Sequence, residues 1–290
     1  AVLLGHSLVK GESKKKLVRL WAEHLKENPG SLVYCFRGGM RSEIAVKWLQ
    51  DYGVNVEKLV GGYKNFRSWI ISQHLNIDKY KKEWIIIGGL TGSGKTEFLN
   101  SFKESIDLEG IANHRGSAFG GKHDGQPSQA NFENILTLEY IKHNYDYLIL
   151  EDESRTIGRA GLPGLWYQKM QTSKLIILEV ENDIRAENIY EEYIYKEIKS
   201  GFSEDILLNK YLGSLKNIKR RLGNKIYSEI KYLMENAFYN NEEELHKEWI
   251  LMILLNYYDK MYNYKHDMRK DFIVYKGTNE SCKDYINSMF

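Results

Sequence analysis

Apolar positions recur at helical spacing between residues 13 and 27, where Leu17, Val18, Leu20, Trp21 and Leu25 share a face, and Asn-Pro-Gly at 28–30 ends the helix they predict. "SLVYC" (31–35) reads as a short buried strand. "RSEIAVKWLQDYG" (41–53) is a second helix, with Ile44, Ala45, Trp48 and Leu49 inward and Gly53 at its C-terminal end. "VEKLVGG" (56–62) is another short strand, so strand, loop, helix and strand follow in order as an α/β unit. The polar run "SQHLNIDKYKKE" (72–83) is expected to be a linker. "WIIIGG" then opens a second α/β unit with a helix from Lys95 to about Phe102. Residues 109–128, rich in Gly, Ser, Asn and His, read as a long loop, and Ser128 as the N-cap of the helix "QANFENILTLEYIKHN". "YDYLILED" and "SKLIILEV" are continuous apolar runs of the kind buried on both faces of a parallel sheet. From about Asp183 onward the pattern is mostly helical.

Two loops carry chemistry. Gly89 to Thr96 reads G-L-T-G-S-G-K-T, which fits G-x-x-x-x-G-K-[ST] between an apolar strand and a helix. In such a loop, Gly89, Thr91, Gly92, Ser93 and Gly94 turn backbone amides toward phosphate oxygens, and the helix N-terminus adds positive potential. Lys95 reaches the terminal phosphates and Thr96 can ligate Mg²⁺. The acids Glu151, Asp152 and Glu153 end the neighbouring strand, and Asp152 is the first candidate for the metal-side carboxylate. Arg155 and Arg159 follow at the carboxyl end of that strand, where open α/β sheets bind ligands. They are either holders of a second anion or ordinary loop arginines.

The other loop is "YCFRGGMRS". Cys35 ends a strand, Gly38 and Gly39 allow a tight curl, and a helix begins near Arg41 or Ser42. Backbone amides of 36–41, Arg37, Arg41 and the helix N-terminus are expected to lower the thiol pKa. Such a loop stabilises an anion bonded to sulfur. Cys-x5-Arg-Ser is also a spacing for attack on phosphorus, so a persulfide, a selenide adduct and a phosphate all stay open.

Composition narrows the setting. The 290 residues are 42% apolar and 28% charged, with three prolines, which fits one large or two ordinary folded domains rather than a disordered chain. A formal net charge of +2 supplies no general attraction for nucleic acid, so such a partner needs a local basic patch. No apolar run approaches the roughly 18 residues that span a bilayer, no signal-peptide pattern is evident, and the two cysteines form no disulfide framework. A reducing cytoplasm and no membrane are the expectation. No His/Cys cluster has zinc-ligand spacing, and no tightly bound cofactor is expected.

Together these stretches resemble the tRNA 2-selenouridine synthases, which join a rhodanese domain to a P-loop domain. "YCFRGGMRS" is similar to the family's rhodanese active loop, "VGGYKNFR" to the segment closing that domain and "GGLTGSGKT" to its phosphate loop. "DLEGIANHRGSAFGG", "QPSQANFEN" and "LEDESRTIGRAGLP" resemble further family stretches in the same order. The resemblance covers most of residues 30 to 180. It implies the C-terminal part of a rhodanese-like domain over 1–75, followed over 80–290 by a P-loop NTPase-like parallel-sheet domain with a helical extension from about 183. It also implies conversion of wobble 2-thiouridine in tRNA to 2-selenouridine with selenophosphate, through a geranylated intermediate made from geranyl diphosphate. Cys35 would then serve the selenium step, and the phosphate loop a diphosphate or a nucleotide. The chain begins with Ala inside the rhodanese region, so it is expected to be N-terminally incomplete, or completed by a second chain.

For tRNA, "KNIKRRLGNK" gathers Lys216, Lys219, Arg220, Arg221 and Lys225, either an RNA-phosphate surface or a solvated helix face. Tyr257, Tyr258, Tyr262 and Tyr264 fit a helical core better than base stacking. His114 and Arg115, in the polar loop after the phosphate-loop helix, are the better candidates for substrate contact. Two rival functions remain at this level: a rhodanese-fold cysteine phosphatase fused to a nucleotide kinase, and a non-catalytic, nucleotide-gated RNA-binding module.

Overall fold

The structure is a computed structural model describing residues 2–290, and it divides into two compact units at Leu75/Asn76. The first unit contains helices α1 (Val2–Leu8), α2 (Gly11–Glu27), α3 (Met40–Asp51) and α4 (Gly62–His74). Val18 and Ala22 of α2 pack with Leu49 of α3 and Val56, while Leu17 and Leu20 face solvent. The expected strands at 31–35 and 56–62 are reduced to one isolated parallel bridge between Val33 and Lys58. Among the described residues of this unit no third strand flanks them, and so short a pair gains too few cross-strand contacts to extend. Helix α4 is an element that sequence patterning missed. Its start, Gly61-Gly62, has positive φ at both residues, and its Ile70 is fully buried.

The second unit shows that residues 72–83 are not an open linker. Helix α4 of the first unit runs to His74, and a 3₁₀ turn at Ile77–Tyr80 anchors Ile77 and Tyr80 against the sheet core. The sheet itself has β1 (Glu83–Gly89), β2 (Tyr147–Glu151), a separate two-residue hairpin β3 (Thr156–Ile157) and β4 (Ala160–Gly161), then β5 (Lys174–Leu178) and β6 (Ile273–Gly277). Its order is β2-β1-β5-β6, with every pair parallel. In β1 the run of isoleucines explains the position: Trp84 and Ile86 enter one core layer, Ile85 and Ile87 the other. A strand buried on both faces gains no benefit from alternation, hence the continuous apolar run.

Around the sheet lie α5 (Lys95–Asn100), α6 (Leu108–Ala112), α7 (Gln129–Lys142) and α8 (Gly164–Gln171). Ser128 caps α7 by accepting from the Asn131 amide. The expected long loop at 109–128 is partly ordered: it opens in α6 and closes on a bridge between His114 and Gly121. The helical extension comprises α9 (Asn182–Tyr190), α10 (Lys196–Lys199), α11 (Glu204–Leu222), α12 (Asn224–Asn240), α13 (Glu243–Ile253), α14 (Asp259–Met268) and α15 (Asn279–Met289). Two π-helical turns interrupt it, Glu191–Tyr195 and Leu254–Tyr258. The helical pattern after Asp183 concealed β6, which pairs with β5 and is covered by α15 through buried Cys282 and Ile286.

Candidate active site

In the second unit the phosphate loop lies at the carboxyl end of β1, where the sheet's parallel strands all point. Gly89, Gly92 and Gly94 have φ of 147°, 84° and 75°, a region that side chains with a Cβ rarely occupy. At Gly92 a Cβ would also lie 2.6 Å from the Arg185 carbonyl oxygen. Lys95 begins α5 and donates to the carbonyls of Gly89 (3.1 Å) and Leu90 (3.3 Å). Burial pushes its ammonium pKa down, opposed by the carboxylates of Glu109, Glu153, Asp152 and Glu151. The Thr96 hydroxyl donates to Glu109 Oε2 at 3.4 Å.

Lys95, Thr96, Glu109 and Glu153 line a cavity of about 620 Å³, together with Arg115, Ser117, Tyr193 and Tyr262. Burial, then the charge of Glu153, raises the Glu109 carboxyl to about 8. Burial also raises Glu153 and holds Glu151 well above the carboxylate range. Glu109 was not singled out in the sequence because it sits on α6, inside what reads as a loop. Gly116 leaves room for this pair, since a Cβ there would lie 2.2 Å from Glu109 Oε1 and 2.7 Å from Glu153 Oε1.

The remaining candidates separate. Asp152 is 5% exposed and is tied to Arg269 at 2.5 Å, so its carboxylate serves an internal ion pair. The carboxylates lining the cavity beside the loop hydroxyl are those of Glu109 and Glu153. Arg115 lines the cavity, held by Glu192 and Glu197 at 2.7 Å each and lying over the Tyr193 ring. His114 points elsewhere: a Cβ on Gly158 would meet its ring at 2.7 Å, and burial lowers its pKa. Arg155 and Arg159 are exposed around the β3–β4 hairpin.

Lys216, Lys219, Arg220 and Arg221 lie exposed on α11, with Lys225 on α12. Arg221 also donates to Tyr257 Oη at 3.2 Å, and Lys219 lies over the Tyr227 ring. Tyr257 and Tyr258 are core residues, Tyr262 faces Lys95, and Tyr264 is 67% exposed. Among the described residues no group of three or more His, Cys, Asp or Glu side chains is arranged to hold a metal ion, and no helix is long and apolar enough to cross a membrane.

Beside the phosphate loop is a narrow apolar slot of about 30 Å³. It shares Thr91, Ser117, Ile189 and Tyr193 with the larger cavity and is closed by Phe119, Trp249, Ile250, Ile253 and Leu254. The π-helical turns help to build it. Tyr193 hydrogen-bonds Ser117 Oγ at 3.1 Å, and Tyr258 Oη accepts from the Ala118 amide at 3.0 Å. Insertion of one residue into a helix commonly re-aims side chains at sites of function.

The cysteine loop of the first unit is a separate cradle. Cys35 Sγ lies 3.3 Å from the Ser42 hydroxyl, and that serine is 1% exposed. The Ser42 hydroxyl, with the amides of Ser42, Arg37 and Gly39, lowers the thiol to about 6 against a weaker opposing effect of burial. The guanidinium groups of Arg37 and Arg41 are exposed and are not among these causes, so hydrogen bonding rather than arginine charge activates the sulfur. The start of α4 braces the loop: the Tyr63 amide donates to Cys35 O at 3.1 Å and the Lys64 amide to Phe36 O at 2.9 Å. Only glycine fits at position 62, where a Cβ would lie 2.1 Å from Cys35 O. Cys282 is the opposite case, fully buried with its thiol pushed up to about 11.

A strand, a glycine loop and a half-buried lysine at the head of a parallel sheet define a P-loop NTPase-like protein of α/β class. Residues 82–290 match the family model described as the tRNA 2-selenouridine synthase AAA domain. The curated tRNA 2-selenouridine synthases of Shewanella sp. (strain ANA-3) and Shewanella pealeana (strain ATCC 700345 / ANG-SQ1) are each 40% identical, over 303 and 302 residues. Each alignment covers 99% of this chain and 82% of the relative. That of Shewanella oneidensis is 38% identical over 304 residues, covering 100% of this chain and 80% of the relative. The chain belongs to the tRNA 2-selenouridine synthase family.

Proposed function

We propose that this chain modifies tRNA by installing 2-selenouridine at the wobble position, in two chemical steps served by its two cradles. In the first, the phosphate loop holds the diphosphate of a prenyl donor, geranyl diphosphate. The sulfur of 2-thiouridine attacks the terminal prenyl carbon, the carbon–oxygen bond breaks, diphosphate leaves and the base loses its N3 proton. In the second, the selenium of selenophosphate, handled at Cys35, attacks C2, the alkylated sulfur departs as a prenyl thiol, and water cleaves the selenium–phosphorus bond to release phosphate and leave selenium on the base. Alkylation is what makes that sulfur a competent leaving group. Mg²⁺ brought in with the diphosphate would meet the Thr96 hydroxyl, and it would screen leaving-group charge. The exposed basic face of α11 supplies phosphate contacts for the RNA.

The observation that carries this reading is the apolar slot sharing walls with the phosphate cavity. A nucleotide offers a ribose and a polar base to whatever adjoins its phosphates, whereas a wall of Phe119, Trp249, Ile250 and Ile253 suits a hydrocarbon chain. At about 30 Å³ the slot is closed around its own side chains, so a ten-carbon chain enters by spreading them. The test is to incubate the protein with thiolated tRNA and geranyl diphosphate, with and without selenophosphate, and to weigh the nucleosides. A geranyl adduct without selenophosphate and selenouridine with it are expected. Cys35→Ser should keep the first and lose the second. Ile253→Phe should keep pyrophosphate binding and lose the adduct. Absence of both products from the unaltered protein would refute the proposal.

A further inference from the structure

The tip of the phosphate loop is held by side chains from the helical extension. Arg185 on α9 is fully buried, and its Nε donates to the Thr91 carbonyl at 2.9 Å. Its Nη1 and Nη2 grip the Asp259 carboxylate of α14 at 3.0 and 2.5 Å, and Nη1 also donates to Asn182 Oδ1 at 2.8 Å. One turn along α9, Asn188 Nδ2 donates to the Gly92 carbonyl at 2.9 Å. Gly92 presses so closely on α9 that a Cβ would reach the Arg185 carbonyl oxygen at 2.6 Å and Ile189 Cδ1 at 3.0 Å.

The two carbonyls belong to successive peptide units. In a planar trans peptide the direction of C=O sets the direction of the N–H on the same plane. Fixing Thr91 O therefore fixes the Gly92 amide, and fixing Gly92 O fixes the Ser93 amide, which closes the loop onto Leu90 O at 3.1 Å. A glycine loop is otherwise free to invert these planes, because its residues tolerate either sign of φ. Inverting the Thr91–Gly92 plane would turn a carbonyl, not an amide, toward the anion, and inverting the Gly92–Ser93 plane would break the closure of Ser93 onto Leu90.

We propose that Arg185 and Asn188 are positioning residues for the phosphate cradle: Arg185 holds the Thr91–Gly92 peptide with its amide toward the anion, Asn188 holds the next peptide with the Ser93 amide closed onto Leu90 O, and Asp259 holds Arg185. This rests on reading Gly89–Thr96 as the diphosphate site. The functional consequence is that diphosphate affinity is set partly by helices that do not themselves touch phosphate.

The experiment titrates inorganic pyrophosphate calorimetrically into the whole chain carrying no change, Asn188→Ala, Asn188→Gln or Arg185→Lys, and follows amide hydrogen exchange of the peptide spanning the loop. Asn188→Ala removes one hydrogen bond at an exposed site and should weaken pyrophosphate about three- to tenfold with an unchanged thermal midpoint. It should also raise KM in the alkylation assay while sparing kcat. Asn188→Gln, which keeps the amide donor, should recover most of the affinity. Arg185→Lys, which keeps a cation beside Asp259 but not the fork, should weaken binding further. Loop exchange should quicken in Asn188→Ala and Arg185→Lys. Wild-type affinity in Asn188→Ala, or equal losses in Asn188→Ala and Asn188→Gln, would overturn the proposal. If the unaltered chain fails to bind pyrophosphate, the reading of the loop fails. The positioning claim is then judged by exchange alone: faster exchange in the variants supports it and unchanged exchange overturns it.

Discussion

Ser42→Ala tests whether hydrogen bonds, and not arginine charges, make Cys35 reactive. The Cys35 thiol titrates at about 6, and the Ser42 hydroxyl at 3.3 Å is the largest cause. A thiol is an acid, so a depressed pKa means that thiolate dominates above it and is lost as pH falls through about 6. At pH 7 roughly nine-tenths of the sulfur is ionised, against a few per cent for an ordinary cysteine of pKa about 8.5. Removing the hydroxyl leaves the backbone amides in place, so the midpoint should rise by about one pH unit or more but stop short of the free value. The assay is the pH dependence of iodoacetamide alkylation under excess reagent, with the labelled site read by mass. Cys282, buried with its thiol near 11, serves as the silent internal control. Midpoints are compared rather than plateau rates, because nucleophilicity itself falls with pKa. Arg37→Gln and Arg41→Gln should move the midpoint far less than Ser42→Ala. A wild-type midpoint above pH 8, or a Ser42→Ala midpoint equal to wild type, would refute the reasoning.

Other changes have equally definite outcomes. Arg269→Met leaves the buried Asp152 carboxylate without its partner, and urea unfolding should show a loss of about 3–5 kcal/mol. Asp152→Asn made together with it should return part of that loss. Gly62→Ala places a methyl against Cys35 O and forces a positive φ on alanine, so rapid Cys35 alkylation should disappear with the loop's shape while pyrophosphate binding persists. Replacing Lys216, Lys219 and Arg220 by Gln should flatten the salt dependence of tRNA binding, by a log–log slope of about 0.7–0.9 for each RNA phosphate no longer neutralised. An unchanged slope would leave α11 as a solvated face.

What could be read from the chain was local. The phosphate loop, β1 and the Ser128 cap each depend on residues within a few positions of one another, and composition and spacing report them directly. The cysteine loop was legible for the same reason, and so were the amides of Arg37 and Gly39 among the causes of its activation; the largest cause was not, because Arg37 and Arg41 are conspicuous in sequence, whereas Ser42 works through a side-chain rotamer. The partners of the phosphate loop were hidden by distance. Glu109, Arg185 and Arg269 approach Thr96, Thr91 and Asp152 from separate elements, and no periodicity announces such encounters. The strands of the first unit misled because β-branched and aromatic runs signal pairing capacity, while pairing itself needs neighbours.

Strand β6 gives the second unit an awkward assembly history. Its partner β5 ends at Leu178, and the residues that complete that edge begin about 95 positions later, at Ile273. During synthesis β5 therefore waits with unpaired amides and carbonyls while the whole helical extension is made, and the last pairing closes a very long loop. Nascent chains stalled before residue 273 would be the ones that chaperones bind and that stick to each other, even though their phosphate loop is already complete.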